Sequence, residues 1–397
     1  MEDAQAVRIL DRLGVVLVAA GALATALMPF IIVKANRIAA GKPLLLSQLP
    51  FQPFAGTLAI LLPVAALGIL LILTALSALF LRSAPARLIV STLCIALLIL
   101  TIGLVSSAAA PPTSTSARIT PGGSFWVLLA VVGLLISDAL VKIKLTPWMR
   151  VASLFVYSAL LWLFLRSGLL NNLSIMKEFA TRSDQFWGEA LNHLFLAFGS
   201  VAIAIVLALP LGIFCFWVPK LRAIVLQALS LVQTIPSLAL FGILMLPLGY
   251  ISTHVPLAAK LGIHGIGTAP ALIALILYSL LPIVANTVVG LEGVDPSVRD
   301  AAAGMGLTRT QILMRIDLPL AFPVILTGIR IVLVQAIGLV TVAALIGGGG
   351  FGLFIFQGLG QTAMDLVLLG AVPTVFLAFS SAVILDAVID SIRGQHP

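Results

Sequence analysis

The chain has 397 residues, of which 61% are hydrophobic and only 9% charged, with a formal charge of +8. A soluble domain carries about 25% charged residues, so this balance excludes an ordinary globular enzyme and points to a polytopic membrane protein. The basic excess then reads as loop charge that fixes orientation, and nucleic acid is not expected as a partner.

Stretches long and apolar enough to cross a bilayer fall at Leu13–Val33, Phe54–Leu81, Leu88–Ala110, Ser124–Val141 and Trp148–Leu165. The first is too long and continuous for a signal peptide, despite "ALA" at Ala22–Ala24. A second group falls at Leu191–Val218, Ala223–Ile251, Ala269–Leu291, Leu320–Ile346 and Met364–Ile392. The expected architecture is an all-α polytopic membrane protein of about ten spans. The seventh is expected to be broken, because Pro236 and Pro247 each remove a helix hydrogen bond.

With the N-terminus inside, the cytoplasmic loops collect most of the basic residues, among them Arg8, Arg82, Lys142, Arg222, Arg299 and Arg393. "VKANRIAAGK", with Lys34, Arg37 and Lys42, departs from that rule, and Arg330 lies inside a span. Both termini are therefore expected on the cytoplasmic side.

Three regions follow from this pattern. Residues 1–166 form a five-span N-terminal extension, and the mixed polar and aromatic segment 167–189 is an extracytoplasmic interfacial linker. Residues 190–393 form the core that carries the distinctive features.

One polar passage interrupts the core, "VDPSVRDAAAGMGLTRTQILMRIDLP", Val294–Pro319, within a cytoplasmic loop spanning 292–319. Asp295 can cap a short helix that opens on Pro296, and Gly304 and Gly306 can end it. Thr308 and Gln311 have capping-box spacing for a second short helix running through Arg315, and Pro319 marks the entry to the next span. The result is a pair of stubby helices exposing the small residues Ala301 and Ala302 to a partner's groove.

Elsewhere the chemistry is sparse. Cys94 and Cys215 sit apart in apolar runs, and His193, His254, His264 and His396 have no metal-ligand spacing. There is no G-x-x-x-x-G-K-[ST] segment to cradle ATP phosphates. Gln233, Thr234 and Ser237 flank Pro236, and Tyr278, Ser279, Asn286 and Thr287 form a second polar group. Either set could line a pathway or hydrogen-bond neighbouring helices. Arg330 demands a partner or water; Asp386, Asp390 and Glu292 are the candidates, in a gate-side ion pair or at a substrate contact. The run "GGGGFG" at Gly347–Gly352 permits a tight turn or a re-entrant loop.

The spacing Asp300-Ala301-Ala302, Gly306, then Ile316-x-Leu318-Pro319 resembles the EAA loop of ABC importer permeases, with Asp300 in place of glutamate. "QTIPSLALFGILMLPLG", "LYSLLPIVANTVVGLEGVDP" and "LIGGGGFGLFIFQGL" are similar to permeases of the osmoprotectant branch, which take up glycine betaine or choline. The resemblance covers residues 185–393. It implies a type I permease core in a bacterial inner membrane, with Asp300, Ala301, Ala302, Gly306, Ile316, Leu318 and Pro319 forming a coupling loop. That loop would seat in a separate cytoplasmic ATPase subunit, which holds the ATP, so no cofactor is expected on this chain. An extracytoplasmic substrate-binding protein and a second permease, identical or a distinct shorter one, complete the implied assembly. The resemblance also implies that Asp300→Lys or Gly306→Trp abolishes uptake. Methionine or another small metabolite is the alternative substrate class. An ion-coupled secondary transporter is the alternative mechanism, disfavoured by few acidic residues in the core spans. A membrane enzyme would need clustered catalytic groups, which the sequence lacks.

Overall fold

The computed structural model describes residues 12–36, 39–51, 58–80, 83–109 and 117–394. Arg8, Arg37, Arg82 and His396, and the span ends expected at 54–57, 81 and 110, lie outside the described residues. The chain divides into two compact units, Met1–Thr181 and Arg182–Pro397.

The first unit contains α1 (Arg12–Leu27), α2 (Leu58–Phe80), α3 (Ala84–Ala109), α4 (Gly123–Ile143), α5 (Pro147–Arg166) and α6 (Ser174–Thr181). It also contains three short strands, β1 (Ile31–Lys34), β2 (Lys42–Leu44) and β3 (Arg118–Pro121), in the antiparallel order β2-β1-β3. The unit is therefore not purely helical, and the first apolar helix stops at Leu27 instead of running to Val33. Pro29 disfavours helix at the residue before it, and the β-branched Ile31, Ile32 and Val33 suit a strand. Ile31 pairs with both Leu44 and Pro121, and the buried Phe30, Ile31, Leu98, Ile119 and Leu173 form one core beneath the sheet. Two ion pairs are built into this unit, Arg87–Asp138 at 2.6 Å and Arg118–Glu178 at 3.4 Å. The expected 167–189 linker is largely helical. It includes α6, and its last residues already belong to the first helix of the second unit.

That second unit comprises α7 (Ser183–Trp217), α8 (Pro219–Thr234), α9 (Ser237–His254), α10 (Pro256–Lys260), α11 (Thr268–Glu292) and α12 (Pro296–Gly304). It continues with α13 (Arg309–Ile312), α14 (Leu318–Ala343), α15 (Gly352–Gly360) and α16 (Met364–Arg393). The expected seventh span, Ala223–Ile251, is two helices. Pro236 has no N–H to give, Ile235 is extended (φ −71°, ψ 127°), and α8 ends there with none of its residues buried. Pro247, by contrast, is carried inside α9 without a break.

α11 sits at the centre of the unit, against α7 and α14. Close approach requires small residues here. A Cβ on Gly212 would lie 2.7 Å from Thr287, and one on Gly328 would lie 2.8 Å from Asn286. Among the described residues, eight helices are long and apolar enough to cross a membrane, and Gly14–Leu27 and Val64–Leu76 are shorter apolar stretches.

Candidate functional site

The passage from Val294 to Pro319 folds from local signals outward. Asp295 caps α12, its Oδ1 accepting the Ser297 N–H at 2.8 Å, and Pro296 takes the first helical position, where no N–H is needed. That bond holds the Asp295 carboxyl below its ordinary pKa. Gly306 turns the chain in the left-handed conformation (φ +83°), while the Met305 and Leu307 N–H groups donate to Ala301 O and Ala302 O at 3.1 and 3.2 Å. The capping box is present: Gln311 N donates to Thr308 Oγ1, and Thr308 N donates to Gln311 Oε1 at 2.8 Å.

Two expectations are corrected here. The second helix does not stop before the span: Arg309–Ile346 is continuous, with a π turn over Leu313–Asp317. In an unbroken α-helix the Pro319 ring would press on the carbonyl four residues back. The wider turn just ahead of it, in which Leu318 N bonds Leu313 O, gives the room. The second correction concerns Ala302, which is 1% exposed and therefore part of the interior, not of an outward face. The outward face of α12 is Val298, Ala301 and Met305, at helical spacing, with Met305 73% exposed and Asp300 beside them in solvent. Ile316 and Leu318 are half-buried and Pro319 is exposed. Leu313 is buried with Leu291, Ala321 and Ile325, which seats the passage on α11 and α14.

A residue outside the motif spacing holds this arrangement. Arg299 donates from Nε to Asp317 Oδ1 at 2.7 Å and from Nη2 to Leu291 O, and its guanidinium lies 5.2 Å from the Phe216 ring centroid. Nearby, Arg222 at the start of α8 pairs with Glu292 at the end of α11. A sequence signal for Arg299 exists only in retrospect: one arginine and one aspartate flank the motif.

The two polar groups meet at the proline breaks. Pro282 in α11 cannot donate to Tyr278 O, and Gln233 Nε2 donates to that carbonyl instead, at 2.8 Å. In return Tyr278 OH donates to Ile235 O, beside Pro236. Gln233 and Tyr278 thus exchange hydrogen bonds across two interrupted helices. Asn286 and Thr287 donate back to Pro282 O and Ile283 O of their own helix. Thr234 is exposed and Ser237 half-buried. Along α8 the exposed residues Ala223, Gln227, Ser230 and Thr234 recur at steps of four, three and four, which makes one mostly polar row. Arg330 pairs with Asp386 at 2.9 Å, each about a third exposed at 36% and 38%; Glu292 is engaged with Arg222 instead.

The glycine run is a tight loop, with Gly347, Gly349 and Gly350 at positive φ. Asn192 donates to Gly348 O at 2.7 Å, Glu189 accepts from Gly350 N, and His193 Nδ1 accepts from Phe351 N at 3.3 Å. Sequence reasoning missed this clasp; its signal is three polar side chains at 189, 192 and 193 on one face of α7.

The family described as binding-protein-dependent transport system inner membrane component matches residues 187–394. The chain belongs to that family. Residues 11–176 of the permease match a second family, described as the N-terminal domain of the ABC transporter permease YehY. The permease is 39% identical over 205 residues to the carnitine transport permease protein OpuCB of Listeria monocytogenes, covering 52% of this chain and 87% of the relative. It is 39% identical over 187 residues to the osmoprotectant import permease protein OsmW of Salmonella typhimurium, covering 47% and 82%. Against the glycine betaine/carnitine/choline transport system permease protein OpuCB of Bacillus subtilis, identity is 35% over 218 residues, covering 54% and 91%. Among solved structures, an inward-facing MetNI methionine ABC transporter covers 52% of this chain and 95% of its own at 20% identity, with a TM-score of 0.46.

Proposed function

We propose that this permease is the membrane subunit of an ATP-driven, binding-protein-dependent importer for a small osmoprotectant of the glycine betaine, choline or carnitine class. The observation that carries the reading is α12. It is a capped nine-residue helix whose Asp300, Ala301 and Gly306 keep the coupling-loop spacing and whose outward face is Val298, Ala301 and Met305. It is fastened to the spans on its other side.

In this reading the eight long helices together with α1 and α2 make ten spans, with both termini cytoplasmic in a bacterial inner membrane. The outward face of α12 seats in a cleft of a cytoplasmic ATPase subunit, which holds the ATP. An extracytoplasmic binding protein selects the cargo, and a second permease, identical or shorter, completes the pathway. Closure of the ATPases moves α12, and α14 moves with it because no break separates α13 from α14. The polar row of α8, ending in Thr234, faces the water-filled pathway, since amides and hydroxyls facing lipid tails are costly. Gln233 and Tyr278 set the shape of the break beside it.

The test is uptake of labelled glycine betaine, choline and carnitine by vesicles holding the permease, its ATPase and its binding protein. Uptake should need ATP and all three components, and a cysteine at Gln227 should react with a water-soluble maleimide. Uptake driven by an ion gradient without ATP would overturn the importer reading, and an unreactive cysteine would overturn the pathway assignment.

A further inference from the structure

A nine-residue helix is too short to be stiff by itself, and α12 hangs between Gly293 and the turn at Gly306. A force on its outward face would be absorbed by rocking unless something fixes its inner side to the spans. Arg299 occupies that inner side. From one turn of α12 its planar guanidinium reaches three membrane helices. It donates to a carbonyl in the last turn of α11, Leu291 O, and to the carboxylate of Asp317 at 2.7 Å. It also lies 5.2 Å from the ring centroid of Phe216 near the end of α7. Asp317 is 7% exposed and sits in the π turn that joins α13 to α14, so the pair is anchored in the stem of the span.

We propose that Arg299 is the positioning residue that makes α12 move as one body with α7, α11 and α14, so that it transmits displacement of the helix and does not contact the motor. The proposal rests on the reading of α12 as the ATPase-docking element. Lysine cannot replace it. A single ammonium cannot hold the carbonyl and the carboxylate in the geometry of a guanidinium fork, nor lie flat over a ring. The outward residues Val298, Ala301 and Met305 are untouched by a change at 299, so docking and transmission are separable.

The experiment uses the reconstituted importer with Arg299→Gln and Arg299→Lys. Three quantities are read at matched permease levels: ATPase retained, ATP hydrolysed, and substrate moved per ATP. Both variants should retain the ATPase and hydrolyse ATP, while substrate moved per ATP falls about tenfold or more for glutamine. Lysine should restore little of it, and adding Asp317→Asn to Arg299→Gln should cost little further, because the link is already broken. An unchanged transport ratio in Arg299→Gln overturns the proposal. So does loss of the ATPase from that variant, which would make Arg299 a mere support of the docking face. A wild-type chain that retains no ATPase overturns the docking reading itself, and this proposal with it.

Discussion

At Gly306, space and backbone conformation give different answers. A Cβ built there meets no atom within 4 Å, so crowding inside the chain does not require glycine. The left-handed backbone at φ +83° does, since a side-chain-bearing residue held there costs about 1–2 kcal/mol, with asparagine the mildest case. Gly306→Ala should therefore lower stability by roughly that amount and Gly306→Asn by less, in thermal unfolding of the detergent-solubilised permease. Equal losses for the two would mean that the conformation is not what matters. Local grammar made much of this loop readable. Asp295, Pro296, Thr308 and Gln311 act on neighbours within three residues, so their spacing carries the answer. The burial of Ala302 and the reach of Arg299 to Leu291 and Asp317 depend on α11 and α14 lying beneath, which spacing along the chain does not encode.

Among the helices, the prolines tell the most. Pro236 separates α8 from α9, whereas Pro247 and Pro319 sit within continuous helix, although each lacks the same donor. The difference lies in the surroundings: Ile235 O finds Tyr278 OH, and Pro319 has the π turn ahead of it. Tyr278→Phe and Gln233→Leu should each destabilise the permease by about 1 kcal/mol, the usual size of an interhelical side-chain bond. The double variant should cost less than the sum if the two bonds stabilise one common geometry. A thermal-shift measurement on the three variants decides, and full additivity would separate the bonds. Hydropathy located the apolar segments. It merged α8 with α9 and ran α1 into β1, because it counts apolar residues without asking which backbone they prefer.

For the whole chain, the relatives cover residues of the second unit for most of their own length, 87% in one case. Each unit has its own buried core, Phe30–Leu98–Ile119 in the first and Leu196–Phe241–Ile283 in the second. A chain of residues 182–397 is therefore expected to insert, fold and retain an ATPase without the first unit. Failure to recover it folded from membranes, beside a full-length control, would show that the units depend on each other. Composition gave the membrane class, and the loop spacing gave the family. The three-stranded sheet escaped notice because strands of three or four residues leave no periodicity to detect.

The π turn at Leu313–Asp317 also sets a phase. It accommodates one residue more than a regular turn, and a helix rotates by about 100° per residue. Removing one residue between Ile312 and Leu318 would turn the remainder of α14 about its own axis by a quarter of a circle or more. Asp317 would swing away from Arg299, and Arg330 away from Asp386. The interval between Gly306 and Ile316 thus acts as an angular setting, and length variation that an ordinary surface loop would absorb is excluded there.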